Sequence, residues 1–413
     1  MTAVTLTVHR GTRQIGGNCV EVRAPGGERL VLDVGRPLDA SSDATGLLPE
    51  TLDRTQPATV LISHPHQDHW GLLSEVPAEW PVHCGEATAK LMRLTAGVKD
   101  GCIERAFIPW TNGLPVGIGP FAVTPLLTDH SAFDAHMLLI EVAGKRILYS
   151  GDFRRHGRKA KLVRQLMASP PNVDILLLEG TNLGSSKPTT TEQDLEAEFV
   201  GLFRRTPGRV FVSWSAQNID RTVTLYRACL KARRVLVIDL YTAEVLTAIN
   251  PHAGIPQPGW PGLKVVITSA FARLYRMKGR DEFVTRMAEG SGMPARVLAE
   301  SPRRWVIMTR PSLIRDYRRA GVNPTTEDAW CWSMWRGYLD REDNRRVQDW
   351  FEINSASVCH IHTSGHASAE DLRAFAAALK PLIVVPIHGN AWDEHVRGFP
   401  HIRRLRDGEP MLV

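Results

Sequence analysis

The chain has 413 residues, a net charge of +6 and a pI near 9.1. Its 43% hydrophobic and 23% charged content excludes a disordered or fibrous protein and allows two domains with a large core. No apolar run reaches the length of a membrane span and no apolar signal segment opens the chain, so a cytoplasmic protein with no membrane partner is expected. Six cysteines, Cys19, Cys84, Cys102, Cys229, Cys331 and Cys359, form no C-x-x-C pair. They read as buried thiols rather than disulfides or a zinc ribbon.

Residues 4–9, 18–24 and 29–34 read as three short strands separated by Gly-rich turns. Asp33 closes the third. An acid at the end of an apolar strand is either a cap or a carboxylate that steadies a ligand histidine, and the histidines that follow favour the second. Ala58-Thr59-Val60-Leu61-Ile62 is a buried strand by its β-branched apolar content. It delivers Ser63-His64-Pro65-His66-Gln67-Asp68-His69. Side chains two apart at a strand end point the same way, so His64 and His66 can converge on one metal ion. Asp68 and His69, one turn later, can converge on a second.

Downstream come a strand near 82–84, a helix near 86–95 and a strand over 121–127 that leads to Asp129-His130-Ser131. His130 is the natural third ligand of the first metal, since three protein ligands leave a position for water. Residues 146–150 form a strand ending in Gly151-Asp152, where a carboxylate can bridge two metals. Residues 173–178 form another, ending in Glu179. From about 192 the pattern alternates: helices at 192–204, 217–231, 241–249, 271–288 and 312–319, strands at 209–213, 234–238, 264–268 and 304–309. Such alternation implies a parallel sheet flanked by helices. Near the end, a strand at 357–362 leads to Thr363-Ser364-Gly365-His366 and a helix at 368–379. A buried strand at 382–387 then ends in His388-Gly389. Two more histidines at strand ends suggest that the chain returns to complete the first site. His360 and His362, alternating along their strand, read as packing or edge residues.

These residues together resemble the β-CASP branch of the metallo-β-lactamase superfamily, and most closely the ribonuclease J family. The resemblance rests on Asp33, His64-x-His66-x-Asp68-His69, Asp129-His130-Ser131, Gly151-Asp152-Phe153, Glu179, Ser364-Gly365-His366-Ala367 and Pro386-Ile387-His388-Gly389. It implies an α/β fold: a metallo-β-lactamase αββα sandwich (1–191 and 351–413) interrupted by a β-CASP domain (192–350). It also implies a metal-dependent ribonuclease, with a DNA nuclease of the same branch second and a small-molecule metallo-hydrolase third. The expected cofactors are two divalent metal ions, zinc before manganese. His64, His66 and His130 would hold one; Asp68, His69 and His388 would hold the other; Asp152 would bridge. Asp68 also counts as catalytic, beside His366 as general acid and Glu179 as its orienting carboxylate. RNA or single-stranded DNA is the expected partner.

Two stretches depart from that family. Val306–Ser312 lacks the Gly- and Gln-containing loop that holds the nucleotide, which leaves Arg310 as the phosphate contact there. Ser213-Trp214-Ser215-Ala216-Gln217-Asn218-Ile219-Asp220-Arg221 does resemble the family's phosphate-contacting turn, through Ser213, Ser215, Asn218 and Arg221. The basic run Arg154–Lys161 follows Asp152 and is a candidate wall of the nucleic-acid path. The family's additional C-terminal domain is not matched, so a dimer is possible but not implied.

Overall fold

The structure, a computed structural model, describes residues 3–41, 43–98 and 101–413. The chain divides into one unit of Met1–Thr189 with Gly365–Val413 and a second of Thr190–Ser364. In order, the first unit contains β1 (Thr5–Arg10), β2 (Cys19–Arg23), β3 (Arg29–Leu32), β4 (Thr59–Ile62), α1 (Gln67–Trp70), β5 (Val82–Gly85), α2 (Glu86–Val98), β6 (Ile108–Trp110) and β7 (Val116–Ile118). It continues with β8 (Phe121–Leu127), β9 (His136–Val142), β10 (Lys145–Tyr149), α3 (Ala160–Ala168) and β11 (Ile175–Leu178). The second unit runs α4 (Glu192–Arg205), β12 (Val210–Ser213), α5 (Ile219–Ala232), β13 (Val235–Asp239), α6 (Leu240–Ile249), β14 (Leu263–Ile267), α7 (Ser269–Met277), α8 (Asp281–Glu289), β15 (Gly292–Pro294), β16 (Trp305–Met308), α9 (Pro311–Arg319), β17 (Ala329–Trp332), α10 (Glu342–Ile353) and β18 (Ser357–His360). The chain then re-enters the first unit with α11 (Ala369–Leu379), β19 (Ile383–Pro386) and β20 (Pro410–Leu412).

Two sheets build the first unit, in the orders β20-β1-β2-β3-β4-β5-β6 and β19-β11-β10-β9-β8-β7. Leu6, Val20, Leu30, Leu61, Leu138, Ile147, Leu177 and Val385 fill the space between them. The outer faces bury a second layer: Val60, Trp70, Trp80 and Met92 on one side, Leu148, Val163, Phe375 and Trp392 on the other. Apolar side chains on both faces explain why β3, β4, β10 and β11 lack polar alternation. Strands β3-β4-β5-β6 are parallel, as are β10-β11-β19. Their C-terminal ends carry Asp33, His64, Asp152, Glu179 and His388, just beyond the last hydrogen-bonded residues.

The second unit is a seven-stranded parallel sheet, β15-β14-β13-β16-β12-β17-β18. Here the structure corrects the sequence reading in three places. Residues 351–364 group with this unit, because β18 pairs in parallel register with β17. The helix expected over 271–288 is two helices, α7 and α8, parted at Gly279, whose φ of +68° no helix accepts. Strands β15 and β17 are additional to those expected.

Candidate metal centre

His64, His66 and His130 bring ligand nitrogens within 4.8 Å of one another. His130 Nδ1 donates to the Gly365 carbonyl at 2.6 Å, so its Nε2 carries the free lone pair. That Nε2 lies 3.1 Å from His66 Nδ1. Ser63 Oγ lies 3.0 Å from His64 Nδ1, leaving His64 Nε2 inward-facing and buried without a hydrogen-bond partner among the described residues. Burial holds His64 and His130 well below the usual histidine range and His66 at about 4. Neutral imidazoles with free lone pairs are what a cation requires.

A second cluster joins Asp68, His69, Asp152 and His388 within the same 4.8 Å limit. His69 Nδ1 donates to Asp33 Oδ2 at 2.7 Å. Its Nε2 faces Asp152 Oδ2 at 3.1 Å. A neutral His69 has no second proton to offer there, so either the ring is doubly protonated or a cation sits between the two groups. Burial pushes His69 down, but Asp152, Asp33 and Asp68 outweigh it and hold the ring well above its ordinary range. His388 Nδ1 bonds Thr181 Oγ1 at 2.8 Å while its Nε2 lies 3.4 Å from Asp68 Oδ2.

Asp152 stands between the clusters, its Oδ2 being 3.6 Å from His64 Nε2 and 3.1 Å from His69 Nε2. Its Oδ1 is buried without a hydrogen-bond partner among the described residues. Gly151 makes this approach possible: φ is +48°, and an added Cβ would meet the His136 carbonyl at 3.2 Å. An orphaned buried carboxylate oxygen beside an orphaned imidazole nitrogen fits a divalent cation and little else.

Behind the clusters, Asp33 is fully buried at a φ of +58° and accepts from His69, Ser63 and the Tyr149 hydroxyl. His388 has a φ of +47° and is fixed on both sides, its N–H donating to Gly11 and its carbonyl accepting from Gly180. Two non-glycine residues in the left-handed region at one site represent strain that the surrounding bonds hold in place. Glu179 is buried, accepts from Phe153 N at 3.1 Å and lies 3.2 Å from His366 Nδ1. Burial works against the charged form of His366, but Glu179 and Asp152 raise it to about 9.

The sequence reading missed Ser63, Tyr149, Thr181 and Asn182, the last donating to the His366 and Ala367 carbonyls at 2.9 and 3.1 Å.

The expected phosphate contacts fare differently. Arg221 is fully buried, held by Glu192 at 3.1 Å and by Ser333, so it serves the interior of its own unit. Ser213 is buried and accepts from Trp330 Nε1. Arg310 lies 3.1 Å from the buried Asp239, which offsets its charge. Asn218 caps α5 by accepting from Arg221 N. Ser215 alone of the five is exposed. In the basic run, Arg154 is buried beside Asp129 and Arg155 pairs with Asp371 at 2.8 Å, so that stretch is partly spent on structure. His360 Nε2 lies 3.0 Å from the Met334 carbonyl, an edge-strand role.

Residues 12–191 match the Metallo-beta-lactamase superfamily, the segment that supplies six of the seven candidate ligands. The chain carries a metallo-β-lactamase-superfamily domain and resembles ribonuclease J. Residues 352–392, with His366 and His388, match the Zn-dependent metallo-hydrolase RNA specificity domain. Ribonuclease J of Sinorhizobium meliloti is 22% identical over 86% of this chain and 63% of its own length. Ribonuclease J of Helicobacter pylori is 22% identical over 94% of this chain and 56% of its own. The chain thus spans roughly three-fifths of these relatives. An RNase J-like protein of Methanocaldococcus jannaschii is 30% identical over 43% of the chain and 42% of its own length. A solved protein of unknown function from Enterococcus faecalis superposes over all of both chains, with a TM-score of 0.81 and 18% identity, and so shares the fold. The His/Asp clusters and the superfamily together mark a divalent-metal site. No described helix is long and apolar enough to cross a membrane.

Proposed function

We propose that this protein is a ribonuclease that hydrolyses RNA phosphodiester bonds with two divalent metal ions, zinc by preference and manganese as the alternative. One observation carries the reading: Asp152 belongs to the second ligand cluster and its Oδ2 lies 3.6 Å from His64 Nε2 of the first, while His366, which groups with Asp152, Glu179 and His388, turns its Nδ1 to Glu179 at 3.2 Å. His64, His66 and His130 would hold one ion and Asp68, His69 and His388 the other, with Asp152 common to both. When bound, such a pair supplies Lewis-acid polarisation of a phosphoryl oxygen and offsets the charge of an in-line displacement. The chain's own residues do the rest. Glu179 accepts the Nδ1 proton of His366, which fixes the ring and leaves Nε2 to protonate the departing 3′ oxygen. Asn182 holds the His366 backbone, and Asp33 keeps His69 in the tautomer that turns Nε2 inward. The match to an RNA specificity domain and the ribonuclease J relatives support RNA as substrate.

The test is a time course on end-labelled RNA and DNA of one sequence, with chelator and with zinc or manganese restored. RNA cleavage that chelation stops and metal restores is the expected result. Faster cleavage of the DNA would make this a DNA nuclease, and turnover of lactones or thioesters with neither polymer cut would make it a small-molecule hydrolase.

A further inference from the structure

Strands β17 and β18 are adjacent, parallel and in a register that sets Cys331 directly opposite Cys359. Neighbouring strands lie about 4.8 Å apart, inside the roughly 4.4–6.8 Å Cα separation of a disulfide. A register pair points its side chains to one face, so the two cysteines sit side by side on one face of the sheet. β18 is the edge of its sheet, and its Ser357 and Val358 are exposed. Cys359 is half-buried and Cys331 fully buried, so one sulfur is open to small reagents and the other waits behind it. This differs from the uniformly buried thiols expected from the sequence.

We infer that Cys331 and Cys359 are a redox modification site: hydrogen peroxide converts the pair to an intramolecular disulfide that fastens the edge strand to its neighbour. The two sulfurs have unequal roles. The neighbouring Cys331 side chain, and after it Arg205, hold the Cys359 thiol below its ordinary range against the opposing effect of burial. Burial pushes the Cys331 thiol well up, so it keeps its proton. Cys359 thiolate attacks one peroxide oxygen; the O–O bond breaks, an S–O bond forms, and hydroxide leaves to become water. Cys331 sulfur then attacks Cys359 sulfur; the S–O bond breaks, the S–S bond forms, and the departing hydroxide takes the Cys331 proton as a second water. Both sulfurs are oxidised and both peroxide oxygens reduced. The bond closes the segment that contains α10 and anchors the strand from which residues 361–364 run on toward His366.

The experiment uses the full chain carrying Cys102→Ser, which removes the exposed thiol. It is treated with a small excess of hydrogen peroxide at neutral pH, weighed intact, then alkylated and mapped without reduction. The expected result is a loss of two hydrogen masses per chain and one Cys331–Cys359 cross-linked peptide, both reversed by a phosphine reductant. Cys331→Ser should stop at a Cys359 sulfenic acid that dimedone traps, and Cys359→Ser should resist peroxide. Folding of each variant is checked by circular dichroism, and should either fail to fold, the peptide map of the parent decides alone. A parent chain that ends as a Cys359 sulfinic acid, or that takes up no oxidant, overturns the inference. The outcome is independent of whether the chain cleaves RNA.

Discussion

His366 and His388 stack with ring centroids 5.5 Å apart, yet their Nδ1 atoms are held by different groups. Glu179 holds the first and Thr181 the second. Substitution should therefore separate the two roles. His366→Ala is expected to keep its metal content while the cleavage rate falls by roughly 10²–10⁴-fold, the usual scale of general acid catalysis. His388→Ala should instead lose an ion, read by elemental analysis of protein purified without chelator. If His366→Ala empties a metal position, the assignments must be exchanged. The candidate ligands that the fold gathers were readable in the sequence because few other arrangements explain histidines and acids crowded at the ends of apolar strands. The residues that hold them were not. A tyrosine such as Tyr149 or a threonine such as Thr181 occurs everywhere, and only the fold brings their hydroxyls to Asp33 and His388. The same limit explains Arg221 and Arg310. A sequence cannot distinguish an arginine waiting for phosphate from one already committed to Glu192 or facing Asp239.

Strands with apolar residues on both faces announced themselves; short ones did not. β15 has three residues and β17 is the aromatic run Ala329-Trp330-Cys331-Trp332, whose pairing with β12 and β18 is a property of the sheet. Polar residues inside a strand were silent as well. Glu21 on β2 is almost fully buried and accepts from Arg29 Nη2 at 2.6 Å, from Arg23 at 3.0 Å, and lies 3.5 Å from His9. Burial alone would raise its carboxyl, but His9, Arg29 and Arg23 lower it from 4.5 to about 2. A depressed carboxyl contributes stability in full above its unfolded value and loses it as pH falls through the folded one. Glu21→Gln leaves Arg29 buried without its counter-charge and should cost about 3–5 kcal/mol at neutral pH. Urea denaturation of both proteins from neutrality downward should show this gap narrowing between pH 4.5 and about 2. A gap that is constant with pH would assign the loss to packing instead.

At the scale of the molecule, the metal cluster ties strand ends that are far apart in the chain. β4, β8, β10 and β19 each deliver one or more of its members, and β19 does so only after the whole inserted unit. Ligands that bind only the folded state stabilise it by about 2.7 kcal/mol at a hundred times Kd. Chelation should therefore raise hydrogen exchange in β4, β10 and β19 and leave β13 and β16 unchanged. Equal loosening of both units would show that the ions support more than the first. The two-unit organisation was legible from the helix–strand alternation, but the crossing back at residue 364 was not, since a strand can be assigned to a sheet only once its partner is known.

The late arrival of β19 also orders events in time. A chain is synthesised from its N-terminus, so the histidine triad exists on the ribosome well before His366 and His388 do. β11 meanwhile waits with one edge open for the strand that pairs with it at Ile175↔Ile383. An unfinished or prematurely terminated chain thus holds three imidazoles and no acid to release a product. Under the proposed function, a chain made in this order lacks its proton donor and its last candidate ligand until residues 366–388 have emerged.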